Sequence, residues 1–308
     1  MVSSVCQATG RWIKLERILP HLFTRHFVSD VPPFGLKRRH QVNLLLLYQK
    51  FIIMELKGKT ILITGGTAGI GFEAAKQFLA NGAKVIITGR NQGKLDEAKK
   101  LYPALTAIKS DVANAADARL LLNKIEELGG IDILYNNAGV MSRPQNLGIA
   151  NDKHFKLAKN EMDINYLGVI RLNNLFIDML KSRKEGAIIN TSSLLSYVPL
   201  NLGPTYSASK AAMRFYTVSL RDHLKILGSK VKVFELVPPV VATSMTEHVE
   251  TKGISPEKLV NALIAGIKNN RFTIRVGISK LVYLANRLFP KIAYGLVNPA
   301  KNVNQLQS

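Results

Sequence analysis

KTILITGGTAGIGFEAAKQFLANG, residues 59–82, decides the architecture. KTILIT, residues 59–64, is a β-branched apolar run and reads as a buried strand. GIGFEAAKQFLANG has helical spacing and ends at Gly82, a residue that stops helices. Between strand and helix the chain places Gly65, Gly69 and Gly71. In that context the first glycine permits a tight turn and the second lets backbone approach a pyrophosphate. The third lets the helix pack on the strand, with the helix N-terminus facing the anion. Thr67 and Ile70 lie in the same turn and count with them as expected dinucleotide contacts. A glycine triplet alone is a weak signal, and the flanking strand and helix supply the context it requires.

Outward from this unit, strand patterns recur at 83–88, 104–109, 131–135, 186–191, 230–237 and 272–276, with helical patterns between them. Such alternation predicts an α/β fold: a Rossmann-type, doubly wound parallel sheet of about seven strands, helices on both faces, in a single domain. Right-handed crossovers and a cofactor at the carboxyl ends of the strands follow. The chain has 308 residues, 47% of them hydrophobic, enough for a large core, and about 250 residues suit one such domain.

The second strand, AKVIITGR (83–90), bears on the choice of cofactor. An acid near its end would accept hydrogen bonds from ribose hydroxyls, and Arg90 stands there instead. A guanidinium at that point pairs with a 2′-phosphate, which favours NADP(H) over NAD(H); the competing reading is one more surface charge in a basic protein. Asp111, after ALTAIKS, is placed to receive an adenine amino group with Val112 against the ring, or else to cap a helix beginning near Ala113.

Chemistry enters with Ser193, Tyr206 and Lys210. Tyr206 and Lys210 are four apart and share one face of a helix, where an ammonium group stabilises a phenolate and lowers its pKa. Ser193 ends the strand AIINTSS, where its hydroxyl can hold a substrate oxygen beside the tyrosine. A proton donor with an oxygen clamp suits carbonyl reduction or alcohol oxidation. A tyrosine and a lysine at this spacing are common on solvated helices; here the other motifs outweigh that reading.

Taken in order and spacing, TGGTAGIG (64–71), Asp111, NNAG (136–139), Asn165 with Gly168, Ser193, Tyr206 and Lys210 resemble the short-chain dehydrogenase/reductase family over roughly residues 54 to 300. ELVPPVVATSMT, RFTIRVG and the tail YGLVNP look most like the bacterial DltE-type oxidoreductases of that family. The resemblance implies that Asn137, Ala138 and Gly139 support the cofactor. It also implies that Asn165, in a distorted helix, carries a water relaying protons to Lys210, and that Lys210 grips the nicotinamide ribose. Pro238, Val241 and Thr243 would line the nicotinamide loop. Most relatives have Pro-Gly where Pro238 and Pro239 stand, and proline stiffens the backbone and removes an amide donor. The resemblance further implies a homodimer built on helices at 163–182 and 205–228.

These readings imply an enzyme that transfers a hydride between a nicotinamide cofactor and a small-molecule carbonyl or alcohol. The alternative, favoured by the Pro238-Pro239 departure, is a cofactor-bound regulatory or binding protein. Leu194, Leu195, Tyr197 and Val198, the stretch 244–255 and the C-terminal part are the expected substrate determinants, and their largely apolar character points to an apolar ketone or aldehyde. SKLVYLANRLFPKIAYGLV (279–297) has a basic, apolar helical pattern that suits a pocket cap, an oligomer contact, a membrane surface or plain core packing.

Residues 1–53 precede any sheet pattern and hold eight Lys or Arg against two acids. RWIKLERILPHLFTRHFV has the character of a transit peptide, and VNLLLLYQKFIIM suits a membrane surface but is too short to span one. MELKGKTILITGG reads like a complete start at Met54, so the domain is expected at 54–308, with the extension either a targeting segment or untranslated. Of the net charge of +21, the extension supplies +6 and leaves +15 on the body. No nucleic-acid module accompanies that charge, so a nucleic-acid partner is not expected. The six histidines lack metal spacing and the body from Met54 has no cysteine, so neither metal nor disulfide is expected and a cytoplasmic location fits.

Overall fold

The computed structural model of the protein describes residues 54–142, 146–246 and 253–300. The readings placed on residues 1–53, on 247–252 of the substrate stretch and on 301–308 lie outside the described residues. Seven strands form one parallel sheet: β1 Thr60–Thr64, β2 Lys84–Gly89, β3 Thr106–Lys109, β4 Ile133–Asn136, β5 Ala187–Thr191, β6 Lys232–Val237 and β7 Thr273–Arg275. Their spatial order is β3-β2-β1-β4-β5-β6-β7, so the order reverses between β1 and β4. Every expected strand is present, with ends displaced by a few residues.

Alternation along each strand sorts side chains between two cores. Ile61 and Ile63 of β1 face one side, with Phe78 from helix α1 (Gly69–Ala80), Leu95 from α2 (Gln92–Leu101) and Leu263 from α7 (Pro256–Lys268). Leu62 faces the other, against Leu121 from α3 (Ala115–Glu127), Phe176 from α5 (Gly168–Lys181) and Leu224 from α6 (Pro204–Ile226). The apolar runs thus feed both faces, as a parallel sheet covered by helices requires.

Helix α4 (Lys153–Met162) continues through a π-turn, Asp163–Leu167, into α5. The long helix expected at 163–182 is therefore interrupted at its first turn. Helix α6 starts with Pro204 in its first turn, where a missing amide costs nothing. Two short helices, α8 (Ser279–Leu288) and α9 (Pro290–Val297), close the described chain.

Candidate active site

The glycine turn lies at the reversal point, at the carboxyl end of β1. Gly65 has φ +64, and a Cβ there would sit 3.0 Å from Ala138 Cα. At Gly71 a Cβ would come within 2.2 Å of the Gly65 carbonyl oxygen and 2.5 Å of Asn137 Nδ2. The turn is thus folded back on itself and pressed against NNAG. Thr64 Oγ1 accepts from the Asn137 and Ala138 amides, both at 3.0 Å, and Asn137 Nδ2 donates to the carbonyls of Thr64 and Gly65, both at 3.1 Å. Helices α2, α3 and α7 have side-chain caps from Asn91, Asn114 and Ser255, whereas α1 begins after Ala68 with none and with no acid in its first turn. Its first amides are free of side-chain acceptors and face the glycine turn, an arrangement that fits a pyrophosphate.

The other expected cofactor residues gather around this turn unevenly. Thr243 Cγ2 would lie 3.1 Å from a Cβ at Gly69, so the loop after β6 reaches the turn. Val241 bridges to Ile254, and the Pro238 carbonyl accepts from the Leu194 amide at 3.0 Å, tying this loop to the residues after Ser193. Thr67 lies over Gly89 at the end of β2, whereas Ile70 packs its side chain against the core. Arg90, 59% exposed, approaches Asp111 Oδ2 at 3.9 Å, a loose pair at the ends of β2 and β3. Asp111 is not a helix cap. Helix α3 begins at Ala115 and Asn114 caps it, while Asp111 Oδ1 accepts from the Ala113 amide at 2.9 Å in a local turn. Val112 is buried against α5, where a Cβ on Gly168 would lie 3.0 Å from Val112 Cγ2.

Ser193, Tyr206, Lys210 and Asn165 converge at the carboxyl ends of β4 and β5. Ser193 caps the short turn Leu194–Ser196, its Oγ accepting from the Leu195 amide at 3.1 Å. Its hydroxyl proton thus remains available to a neighbouring oxygen, and the serine side chain hydrogen-bonds Tyr206. Lys210 Nζ lies 5.7 Å from the Tyr206 ring centroid and donates to the Thr191 carbonyl at 2.9 Å. Burial is the largest influence on both groups. It pushes the Tyr206 phenol up to about 12, against the lowering effect of Ser193 and together with the charge of Glu161. It pulls the Lys210 ammonium down to about 8.

That balance differs from the sequence expectation, in which Lys210 lowers the Tyr206 pKa. Burial outweighs whatever Lys210 contributes: the ammonium, 5.7 Å from the ring centroid, directs its hydrogen bond to Thr191 rather than to the phenol oxygen. Asn165 sits within the π-turn, the distortion that the resemblance implied. Its Oδ1 accepts from the Val140 amide at 2.8 Å, and its Nδ2 donates to the Val140 carbonyl at 2.9 Å and to Ser209 Oγ at 3.0 Å. A Cβ on Gly139 would meet both Asn165 Oδ1 and Lys210 Nζ, at 3.2 and 3.4 Å.

Sequence reading missed three supports. Asn136 Nδ2 donates to Asn173 and Asn190 side chains at 2.9 Å each, and Asn190 donates onward to Thr217 at 3.0 Å, a buried polar tie between β4, β5, α5 and α6. Ser192 donates to buried Glu235 at 2.7 Å, anchoring the strand end that carries Ser193. Glu161 is buried, accepts from the Ser142 amide at 2.6 Å and from the Thr205 hydroxyl, and lines a small cavity with Leu157, Leu202 and His154. The acid inside the apolar strand KVFELV was the available signal for Glu235; Glu161 had none. On the substrate side, Leu194 and Val198 bury against Val282 of α8 and Ala293 of α9, with Leu195, Tyr197 and Ala285 packed beside them.

Known proteins resemble the chain in sequence and in fold. The profile of the family described as short chain dehydrogenase matches residues 59–253. The chain is 33% identical to the uncharacterized oxidoreductase DltE of Bacillus subtilis (strain 168) over 71% of its length and 88% of that protein. It is 31% identical to a 3alpha-hydroxysteroid dehydrogenase of Mediterraneibacter gnavus, covering 71% of the chain and 86% of the relative. Among solved structures, a short chain dehydrogenase from Burkholderia cenocepacia J2315 in complex with NADP is 25% identical, with a TM-score of 0.70, covering 79% of this chain and 99% of that one.

Proposed function

This chain belongs to the short-chain dehydrogenase family of oxidoreductases, which act on CH–OH or C=O groups with NAD(P), and we propose that it is an NADP(H)-dependent reductase of an apolar ketone or aldehyde. The carrying observation is the convergence of Ser193, Tyr206, Lys210 and Asn165 beside the glycine turn. NADPH, when bound, supplies the hydride. Tyr206 gives its proton to the carbonyl oxygen: burial keeps the phenol protonated, and the Lys210 ammonium, 5.7 Å from its ring centroid, favours the phenolate that the transfer leaves. The Ser193 hydroxyl, its oxygen already engaged by the Leu195 amide, donates to the same substrate oxygen.

Lys210, with a proton affinity lowered to about 8, exchanges protons near neutrality and is placed to resupply Tyr206. Asn165 holds the Val140 backbone and Ser209 beside it, which fixes the π-turn on the proton-supply side of the lysine. The preference for the phosphorylated cofactor is supported by Arg90 and by the lack of an acid at the end of β2. The loose, exposed pair of Arg90 with Asp111 is weak enough to yield to a 2′-phosphate. The apolar substrate is supported by the apolar α8–α9 hairpin that packs on the residues after Ser193 and by the hydroxysteroid dehydrogenase relative. A homodimer through α5 and α6 completes the reading, supported by exposed Phe215 and Val218 on α6.

Fluorescence titration with NADPH and NADH, followed by oxidation of the bound NADPH against a panel of apolar ketones and aldehydes, tests the reading. Tighter NADPH binding with turnover of some panel members is the expected outcome. Tight binding with no turnover across the panel would overturn it.

A further inference from the structure

The hairpin of α8 and α9 has a face that catalysis does not use. Val282 and Ala293 anchor its inner side against Leu194 and Val198. On the outer side of α8, Leu281, Leu284 and Leu288 are 66%, 51% and 59% exposed, at i, i+3 and i+7. That spacing is one continuous apolar stripe. Ile292 and Leu296, one turn apart on α9, are exposed to a similar degree, and Phe289 at the corner joins the two stripes. An exposed apolar patch of this kind requires a partner.

The charges on the hairpin identify that partner. Lys280, Arg287 and Lys291 are interspersed among the apolar residues and exposed. From Lys258 to the end of the chain there is no Asp or Glu. A second copy of the chain meeting this face across a two-fold axis would set lysines and arginines against one another. A surface that is apolar within and anionic at its boundary matches both features at once. Among the described residues no helix is long and apolar enough to cross a membrane, so the hairpin is suited to lie along such a surface and not to span it.

We propose that the α8–α9 hairpin is a peripheral membrane-docking element, inserting its exposed leucine and isoleucine stripe into the headgroup region of an anionic bilayer while Lys280, Arg287 and Lys291 engage lipid phosphates. Because its inner face packs on the residues that follow Ser193, docking brings the apolar side of the site to the bilayer surface. The docking claim stands apart from the catalytic one, since it is read without turnover.

The test is sedimentation of the full chain with vesicles of phosphatidylcholine alone or mixed with phosphatidylglycerol, at low and raised salt. Two variants accompany it: Leu284→Glu/Leu288→Glu/Ile292→Glu and Lys280→Ala/Arg287→Ala/Lys291→Ala. All six positions are exposed, and unchanged circular dichroism melting confirms folding. The expected result is binding to the anionic vesicles at least about tenfold tighter than to neutral ones, weakened by salt, and reduced about tenfold or more by either variant. Equal binding to both vesicle types would overturn the proposal, as would anionic-vesicle binding that survives both variants. No vesicle binding, with light scattering showing that the glutamate variant breaks an oligomer, would assign the face to a second copy instead.

Discussion

Lys210→Met, made in the cofactor-free protein, is expected to abolish activity and raise stability together. The ammonium is buried, and its proton affinity falls from 10.5 to about 8 on folding. At about 1.4 kcal/mol per pH unit, this amounts to about 3 kcal/mol of destabilisation at neutral pH, where the group is charged in both states. Methionine removes that penalty but leaves the Thr191 carbonyl without its 2.9 Å donor, a loss of about 1 kcal/mol. The net gain of about 2 kcal/mol corresponds to a rise in Tm of about 4 °C for a domain of this size. Between pH 8 and 10.5 the unfolded lysine holds a proton that the folded one has released, so wild-type stability climbs with pH through this window. The advantage of the variant should therefore be largest at pH 7 and vanish by about pH 10. Differential scanning calorimetry of both proteins from pH 7 to 10 reads this directly. A variant less stable at pH 7, or a difference that does not change with pH, would refute the reasoning.

Arg90→Ala should weaken NADPH binding about tenfold, the loss of one charge-assisted phosphate contact, while NADH binding changes by less than about twofold; parallel fluorescence titrations check this. Gly71→Ala places a methyl 2.2 Å from the Gly65 carbonyl oxygen, where backbone cannot yield. It should destabilise the fold by about 2 kcal/mol or more and abolish cofactor binding, read by thermal melting and titration. Glu161→Gln removes a charge that raises the Tyr206 pKa. The ionisation of Tyr206, read as the ultraviolet difference from the Tyr206→Phe protein in a pH titration, should then move to lower pH, while a shift upward would exclude that influence.

The fold was legible because its signals are local. KTILIT, AKVIITG and KVFELV are apolar runs whose strand character needs no knowledge of their neighbours, and the glycine turn fixes where β1 ends. Ser193, Tyr206, Lys210 and Asn165 were picked out by their order and spacing in the family resemblance, and they meet in space because the end of β5, the start of α6 and the π-turn before α5 lie together. What sequence did not disclose depends on contacts across long separations. The tie from Asn136 to Asn173 and Asn190 spans three elements, and the partner of Glu161 is Thr205, 44 positions later. The net direction at Tyr206 was not legible for a related reason. Helical spacing gives the distance from Lys210 but says nothing of the burial that dominates both groups. At Asp111, sequence admitted two roles, and the choice of Asn114 as cap turned on where α3 begins.

Tyr206→Phe tests the central claim most directly, because it removes one oxygen and leaves the ring packing in place. The wild type and the variant are each loaded with NADPH and mixed with the ketone that the wild type reduces fastest, and cofactor oxidation is followed in a single turnover. The account predicts NADPH binding within about twofold of wild type and a hydride-transfer rate lowered by about a thousandfold. A variant that oxidises NADPH at close to the wild-type rate would show that Tyr206 is not the proton donor.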